Sequence, residues 1–345
     1  MTLPIKPTMQ PADAPETPRA IRELEHRDRL TLLDIAPWMI ALVAFFVFPK
    51  HLNLGTQILI MILFALSLDL LLGYAGVVTL GHAAFFGLGA YCAGILATKG
   101  LGDPLLGLAV SAVVSGLAGL ACGAIILRTQ GLTLLMLTLG ILLMLAELAN
   151  RAAWLTGGAD GLQGMQVGKL LGVLDWDVLG RTAYLYSLIA ALVGFVLVRR
   201  IVISPFGRSL TGIRENRARM EAAGASVNSR LTAAYAISAA LAGVAGALNA
   251  QTNQFVALNV LSFELSGAVL IMLILGGTGR LHGAFIGAPL YMITSDWLSR
   301  LDPAYWYFWL GAMLIALVMF ARGGVLGLRD QITAARSSAL GSGQT

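Results

Sequence analysis

The sequence predicts an all-α, polytopic membrane protein of about ten crossings, some of them short or broken. Three observations carry that prediction. Of 345 residues, 57% are hydrophobic and only 12% are charged, about half the charge of a soluble domain. The apolar residues form stretches without Asp, Glu, Lys or Arg at 35–49, 51–68, 70–98, 104–127, 129–146, 182–198, 231–263, 265–279, 281–295 and 303–321. The basic residues between those stretches alternate between rich and poor segments. So few ions cannot cover a water-exposed surface, which excludes a soluble enzyme. The net charge of +5 is spread over short segments between apolar runs, which argues against nucleic acid as a partner.

The elements follow in chain order. Residues 1–30 are polar, contain Pro and carry both signs of charge. They lack the apolar region of a signal peptide and read as a flexible cytoplasmic tail. A helix needs about 20 apolar residues to cross the hydrocarbon. The expected spans are 32–48, 55–72, 80–98, 105–127, 132–150, 182–198, 231–250, 263–276, 283–298 and 304–321. The eighth and ninth are short and could be broken or re-entrant. They complete a transmembrane domain at 31–328, and 329–345 reads as a second cytoplasmic tail. With the N-terminus inside, 17 of the 23 Lys and Arg fall in inside segments and six outside. That bias satisfies the positive-inside rule and places both termini in the cytoplasm. The loop 199–230 holds seven of them and is the firmest cytoplasmic assignment.

Two polar loops stand out on opposite sides. The outer loop 151–181 contains the turn formers Thr156-Gly157-Gly158-Ala159-Asp160-Gly161. It reads either as a surface connection or as a docking surface for an extracytoplasmic partner. In the inner loop, Ser204-Pro205 has the form of an N-cap and first helical position. Glu215 and Arg219 are four apart, as are Arg217 and Glu221. Gly224 can end the helix through positive φ. Charge anchoring explains the arginines but not a capped helix between two spans, so docking of a cytoplasmic partner is the stronger reading.

Within the apolar runs lie Asp69, His82, Glu147, Glu264 and His282. Ionisable groups at membrane depth are costly and usually face a cavity or a partner. Glu147 and Glu264 lie near span ends, where an interface position relieves that cost. Cys92 and Cys122 offer no disulfide framework, and no metal-ligand spacing occurs. No nucleophile elbow or paired-acid motif appears, so no catalytic site is expected. Glycine gives a sharper signal. Gly73-Tyr74-Ala75-Gly76 leads into Thr79-Leu80-Gly81-His82-Ala83-Ala84-Phe85-Phe86-Gly87. Gly276-Gly277-Thr278-Gly279 leads into His282-Gly283-Ala284-Phe285-Ile286-Gly287. Both are glycine breaks followed by His-small-Ala-Phe-x-Gly, a weak repeat of the kind transporters use in inverted halves, with substrate at the breaks. The expected substrate-pathway residues are therefore Asp69, Gly73, Tyr74, Gly76, Thr79, Gly81, His82, Gly276, Gly277, Gly279 and His282. The same glycines can serve packing alone, as in Gly119-x-x-x-Gly123 and Gly283-x-x-x-Gly287. No Walker A sequence occurs, so an ATPase driving transport would be another polypeptide. The other reading is a single-chain secondary transporter driven by a proton through Asp69 or His82.

Four segments carry a family resemblance: "LLLGYAGVVTLGHAAFFGLGAYCAG" from Leu70 to Gly94; Met136-Leu137-Thr138-Leu139 with "LTGGADGL" from Leu155 to Leu162; "SPFGRSLTGIRENRARMEAAGASV" from Ser204 to Val227 with "ISAALAGVAGAL" from Ile237 to Leu248; and "LILGGTGRLHGAFIGAPL" from Leu273 to Leu290. In this order and spacing, from about residue 55 to 328, the chain resembles the permease subunits of branched-chain amino acid ABC importers, in particular the M-type Liv permeases. The resemblance implies a bacterial inner-membrane importer subunit that makes no covalent bond. It implies a second homologous permease subunit, two cytoplasmic ATP-binding subunits that hold the ATP and magnesium, and a periplasmic solute-binding protein. It makes 205–224 the coupling helix, with Pro205, Phe206, Gly207, Arg208, Arg214, Glu215, Asn216 and the Glu221-Ala222-Ala223-Gly224 motif facing an ATPase. Family members more often carry Asn at Asp69, Gln at Val77 and Ser at Thr79. The implied solutes therefore extend from branched-chain amino acids to amides, urea or aromatic acids.

Overall fold

The computed structural model describes residues 32–170, 176–177 and 180–320; the expected tails at 1–30 and 329–345 lie outside them. Among the described residues, a helix stands at each of the ten expected spans. These are α1 (Leu32–Val47), α2 (Leu52–Asp69), α3 (Ala83–Thr98), α4 (Pro104–Ile126), α5 (Leu132–Arg151) and α6 (Arg181–Ile203), then α9 (Val227–Asn253), α10 (Phe263–Gly276), α11 (Gly283–Leu301) and α12 (Trp306–Phe320). Between α6 and α9 lie two polar helices, α7 (Pro205–Glu215) and α8 (Arg217–Ala222). Among the described residues, five segments are long and apolar enough to cross a membrane: Leu52–Ala75, Pro104–Ile126, Leu132–Arg151, Arg181–Ile203 and Val227–Asn253. The eighth apolar helix, α10, has 14 residues, about 21 Å of rise against a hydrocarbon core of about 30 Å. It is short, as its sequence predicts, whereas the ninth, α11, has 19 residues and runs longer than the expected 283–298.

The start signals are local. Asp103 accepts a hydrogen bond from Leu105 N at 3.0 Å, with Pro104 in the first helical position. Ser262 caps α10 in the same way, accepting from Leu265 N at 3.1 Å.

The packing centre is α9, which lies against α2, α3 and α4. Lipid gives little hydrophobic drive between apolar helices, so close approach and buried polar bonds must supply the contact. The sequence provides both. Gly119 and Gly123 of α4 face Ala239 and Tyr235, and Gly89 of α3 lies on Gly243 of α9. Ser111 donates to Gly89 O at 2.8 Å, and Ser115 to Phe85 O at 3.2 Å. Tyr186 of α6 donates to Gln251 Oε1 of α9 at 2.8 Å. The packing reading of Gly119-x-x-x-Gly123 holds, as does that of Gly283-x-x-x-Gly287, which lies against the end of α10.

Loop contacts define the two ends of the bundle. At one end, Leu162 and Val256 exchange backbone hydrogen bonds of 2.7 and 3.3 Å, and Gly168 N donates to Gly102 O at 2.8 Å. The loop 151–181 is thus tied to its neighbours over the part described. Glu147 pairs with Arg151 at 2.6 Å on the exposed end of α5, and Glu264 sits in the first turn of α10. Both are helix-end positions. At the other end lie α7, α8 and both glycine breaks. The hairpins α2–α3 and α10–α11 therefore point the same way. The sequence suggested an inverted relation between halves; this particular pair is parallel.

Candidate functional site at the two glycine breaks

The first break begins where α2 widens into a single π turn, Leu70–Ala75, ending at Gly76 with φ +71°. A widened turn releases backbone carbonyls from the regular ladder. The second break begins at Gly277, φ +108°, and passes through Gly279, φ +74°. After each break the chain resumes with a histidine immediately before the new helix, His82 before α3 and His282 before α11.

The two breaks touch. Asp69 is fully buried, and its Oδ1 accepts a hydrogen bond from Gly279 N at 2.8 Å. A Cβ on Gly73 would lie 2.7 Å from Gly279 Cα, so only glycine lets these backbones approach. Arg214, from the last turn of α7, donates through Nη1 to Gly73 O. The same Nη1 would lie 2.9 Å from a Cβ on Gly279, while the Arg214 Cγ would lie 2.9 Å from one on Gly76. One arginine of the polar loop thus reaches both breaks, and one aspartate ties them to each other. The sequence grouped Arg214 with the coupling residues; it is exposed like them, and its guanidinium also reaches the first break.

The rest of the loop divides into an inner and an outer face. Ser204 caps α7, accepting from Gly207 N at 3.3 Å, with Pro205 in the first position. Gly207 lies on the carbonyls of Ile201 and Val202. Leu210 and Ile213 are buried, and Phe206 packs against the core. Pro205, Arg208, Arg214, Glu215, Asn216, Glu221, Ala222, Ala223 and Gly224 are exposed. The single helix expected over 205–224 is two helices. Asn216 is extended, φ −157°, and its side chain caps α8 by accepting from Arg219 N at 2.9 Å. Glu215 and Arg219 therefore do not share a helix, whereas Arg217 and Glu221 pair at 3.0 Å. Asn favours the cap over the helix interior, which is why the chain divides there. Gly224 has φ +81°, as its stop role requires.

The remaining residues expected on the pathway are mostly enclosed. Tyr74 is buried, and Thr79 is buried with its Oγ1 accepting from Gly81 N at 3.2 Å. Gly81 lies against the Thr138 backbone, and Gly276 lies against Gly283. His82 is fully buried and stacked on Phe64, ring centroids 5.3 Å apart. Ser67 donates to Phe64 O at 2.6 Å, so the His82 Nε2, 2.8 Å away, is the donor to Ser67 Oγ. In this conformation His82 joins α2 to α3 inside the core. His282 is half-buried and borders a wide cavity. Beside Gly76, Arg214 and Arg217 lies a second cavity of about 460 Å³, also lined by Gln130, Leu134 and Leu231.

Sequence reasoning missed the buried hydroxyls that hold the first break. Leu80 N donates to Thr138 Oγ1 at 3.3 Å, Ala83 N donates to Ser266 Oγ at 3.0 Å, and Ser238 donates to Ser67 O. Ser and Thr within apolar helices usually bond their own preceding turn, so they gave no signal.

Residues 51–318 match the family described as the branched-chain amino acid transport system permease component. The chain belongs to that family. It is 28% identical over 308 residues to the high-affinity branched-chain amino acid transport system permease protein LivM of Salmonella typhimurium, covering 82% of this chain and 71% of that one. It is 27% identical to the Escherichia coli protein of the same name, over 84% of this chain and 73% of that one. It is also 22% identical to a probable LivM of Methanocaldococcus jannaschii, over 74% and 85%. No solved structure is a significant match. This permease is a multi-pass membrane protein and a subunit of an ABC importer, a transport system with partner subunits. Its family segments coincide with both breaks, the Thr138 contact and the polar loop.

Proposed function

We propose that this permease forms one half of the inward translocation pathway for branched-chain amino acids or a related small solute. It lies in the bacterial inner membrane with both termini cytoplasmic. It pairs with a second, homologous permease and takes solute from a periplasmic binding protein. ATP and magnesium are bound by two cytoplasmic ATPase subunits, and this chain makes no covalent bond. The observation that supports the reading is the path from the polar loop to both breaks through Arg214. The exposed face of α7 and α8 seats on an ATPase, and Arg214 carries its displacement to Gly73 and Gly279. Asp69 keeps the two hairpins in step. Alternating access then requires only that two packed hairpins exchange one arrangement for another.

The test is uptake by the complete transporter in proteoliposomes. Uptake should require ATP and loaded binding protein and should survive collapse of the proton gradient. Accumulation by this chain alone on a proton gradient would refute the proposal. Competition among leucine, amides, urea and aromatic acids in the same assay identifies the solute.

A further inference from the structure

A groove of about 860 Å³ runs between α1, α2 and α11. Its walls are apolar along most of their length, with Ile40, Ala44, Ile58, Ile62 and Ile293 among them. At the end shared with the glycine breaks its lining changes to Arg280 and His282. Its rim opens sideways: Ile40 is 69% exposed and Ile293 54% exposed. Trp38 also lines the groove, and its Nε1 is shielded from solvent with no hydrogen-bond acceptor among the described residues.

We infer that this groove binds one acidic phospholipid of the inner leaflet, its headgroup at Arg280 and His282 and an acyl chain along α1, α2 and α11. The inner-leaflet assignment rests on the orientation proposed above. The lining carries basic groups at one end only, as an acidic amphiphile requires; the Tyr184 hydroxyl elsewhere in it already donates to Ala41 O at 2.7 Å. A zwitterionic amino acid would bury two charges in a groove with few polar partners, at high cost. A phospholipid places its charge beside the basic end and its hydrocarbon on the apolar walls. Its ester or phosphate oxygens offer the acceptor that Trp38 lacks. Acidic lipids are concentrated on the cytoplasmic face, and basic pockets between helices there retain their headgroups.

The test uses the complete transporter in vesicles containing phosphatidylglycerol or phosphatidylcholine with a photoreactive group in the acyl chain. Phosphatidylglycerol should label α1 near 40–44, α2 near 58–62 and α11 near 286–293. It should do so about fivefold more than phosphatidylcholine, the preference expected from one basic residue at the surface. Arg280→Gln should abolish the preference. Ile58→Trp, which fills the apolar part, should reduce labelling by both lipids and serves if the first variant fails to assemble. Labelling depends on no transport activity, so it stands or falls apart from the uptake assay. Equal labelling by the two headgroups, labelling only outside the groove, or occupation of the groove by the second permease chain would overturn the inference. A headgroup preference confined to outer-leaflet probe would overturn the inner-leaflet assignment.

Discussion

The two glycine breaks follow one plan in different surroundings. Each ends a helix, passes through glycine with positive φ, and resumes behind a histidine. The first is exposed at Gly76 and Val78 but enclosed from Thr79 to Ala83 except at half-buried Leu80. Thr79 and His82 are buried, and side chains from α5 and α10 accept from the backbone at Leu80 and Ala83. The second is open along one side, with Thr278 and Arg280 exposed and His282 half-buried. It meets the first break through Asp69 and Gly73, and the polar loop through Arg214. Equal sequence signals therefore mark unequal parts: an abutment fixed by its neighbours, and a partner with room to shift against it.

The largest effect should come from closing the gap between them. Gly73→Leu places a side chain against the Asp69 carboxyl and the Gly279 backbone; the carboxyl can turn aside only by giving up its bond to Gly279 N, and the backbone cannot yield. Overpacking of this kind costs about 1–3 kcal/mol or more. The transporter should assemble poorly, seen as a lower Tm and loss of subunits during purification. Normal assembly would mean that the breaks separate easily and would weaken the abutment reading. Gly279→Leu is the next largest. Leucine is disfavoured at φ +74°, by about 1–2 kcal/mol, but the open side gives the chain somewhere to move. Membrane insertion should persist while uptake falls by at least about tenfold, the equivalent of 1.4 kcal/mol. Uptake at the normal rate would remove the second break from the mechanism.

His82→Leu sharpens the contrast from the enclosed side. It removes the bond to Ser67 and leaves the apolar stack on Phe64, at a cost of about 1–3 kcal/mol. A modest fall in Tm is expected, with uptake per assembled transporter retained. Loss of uptake at unchanged Tm would instead put His82 on the solute or proton path. The smallest effect should be that of Gly224→Ala. Its side chain enters open space, and only the φ of +81° opposes it, a penalty of about 1 kcal/mol at the end of a surface helix. Uptake should fall slightly, and an effect as large as that of Gly279→Leu would move the pivot into α8.

The fold was legible because apolar runs, basic bias and the cap at Ser204 all act locally. The breaks were legible for the same reason, since clustered glycine interrupts any apolar helix. That they meet was not legible: Asp69 and Gly279 lie 210 positions apart, and nothing in spacing joins them. The contact of Arg214 with Gly73 O was hidden as well, because an arginine in a basic loop has the same sequence signature whether or not its guanidinium reaches a break. The division of the loop at Asn216 was also hidden, because Arg217 to Ala223 remains a good helix pattern and only the asparagine side chain decides where it restarts.

The central claim is that the polar loop acts on both breaks through Arg214. The measurement that tests it most directly is ATP hydrolysis by the reconstituted transporter carrying Arg214→Lys, with and without loaded binding protein. Lysine keeps the charge but lacks the planar fork that reaches Gly73 O beside Gly279. The predicted result is unchanged basal hydrolysis with stimulation by loaded binding protein abolished. Full stimulation in the variant would contradict the claim and leave the loop as a charge anchor.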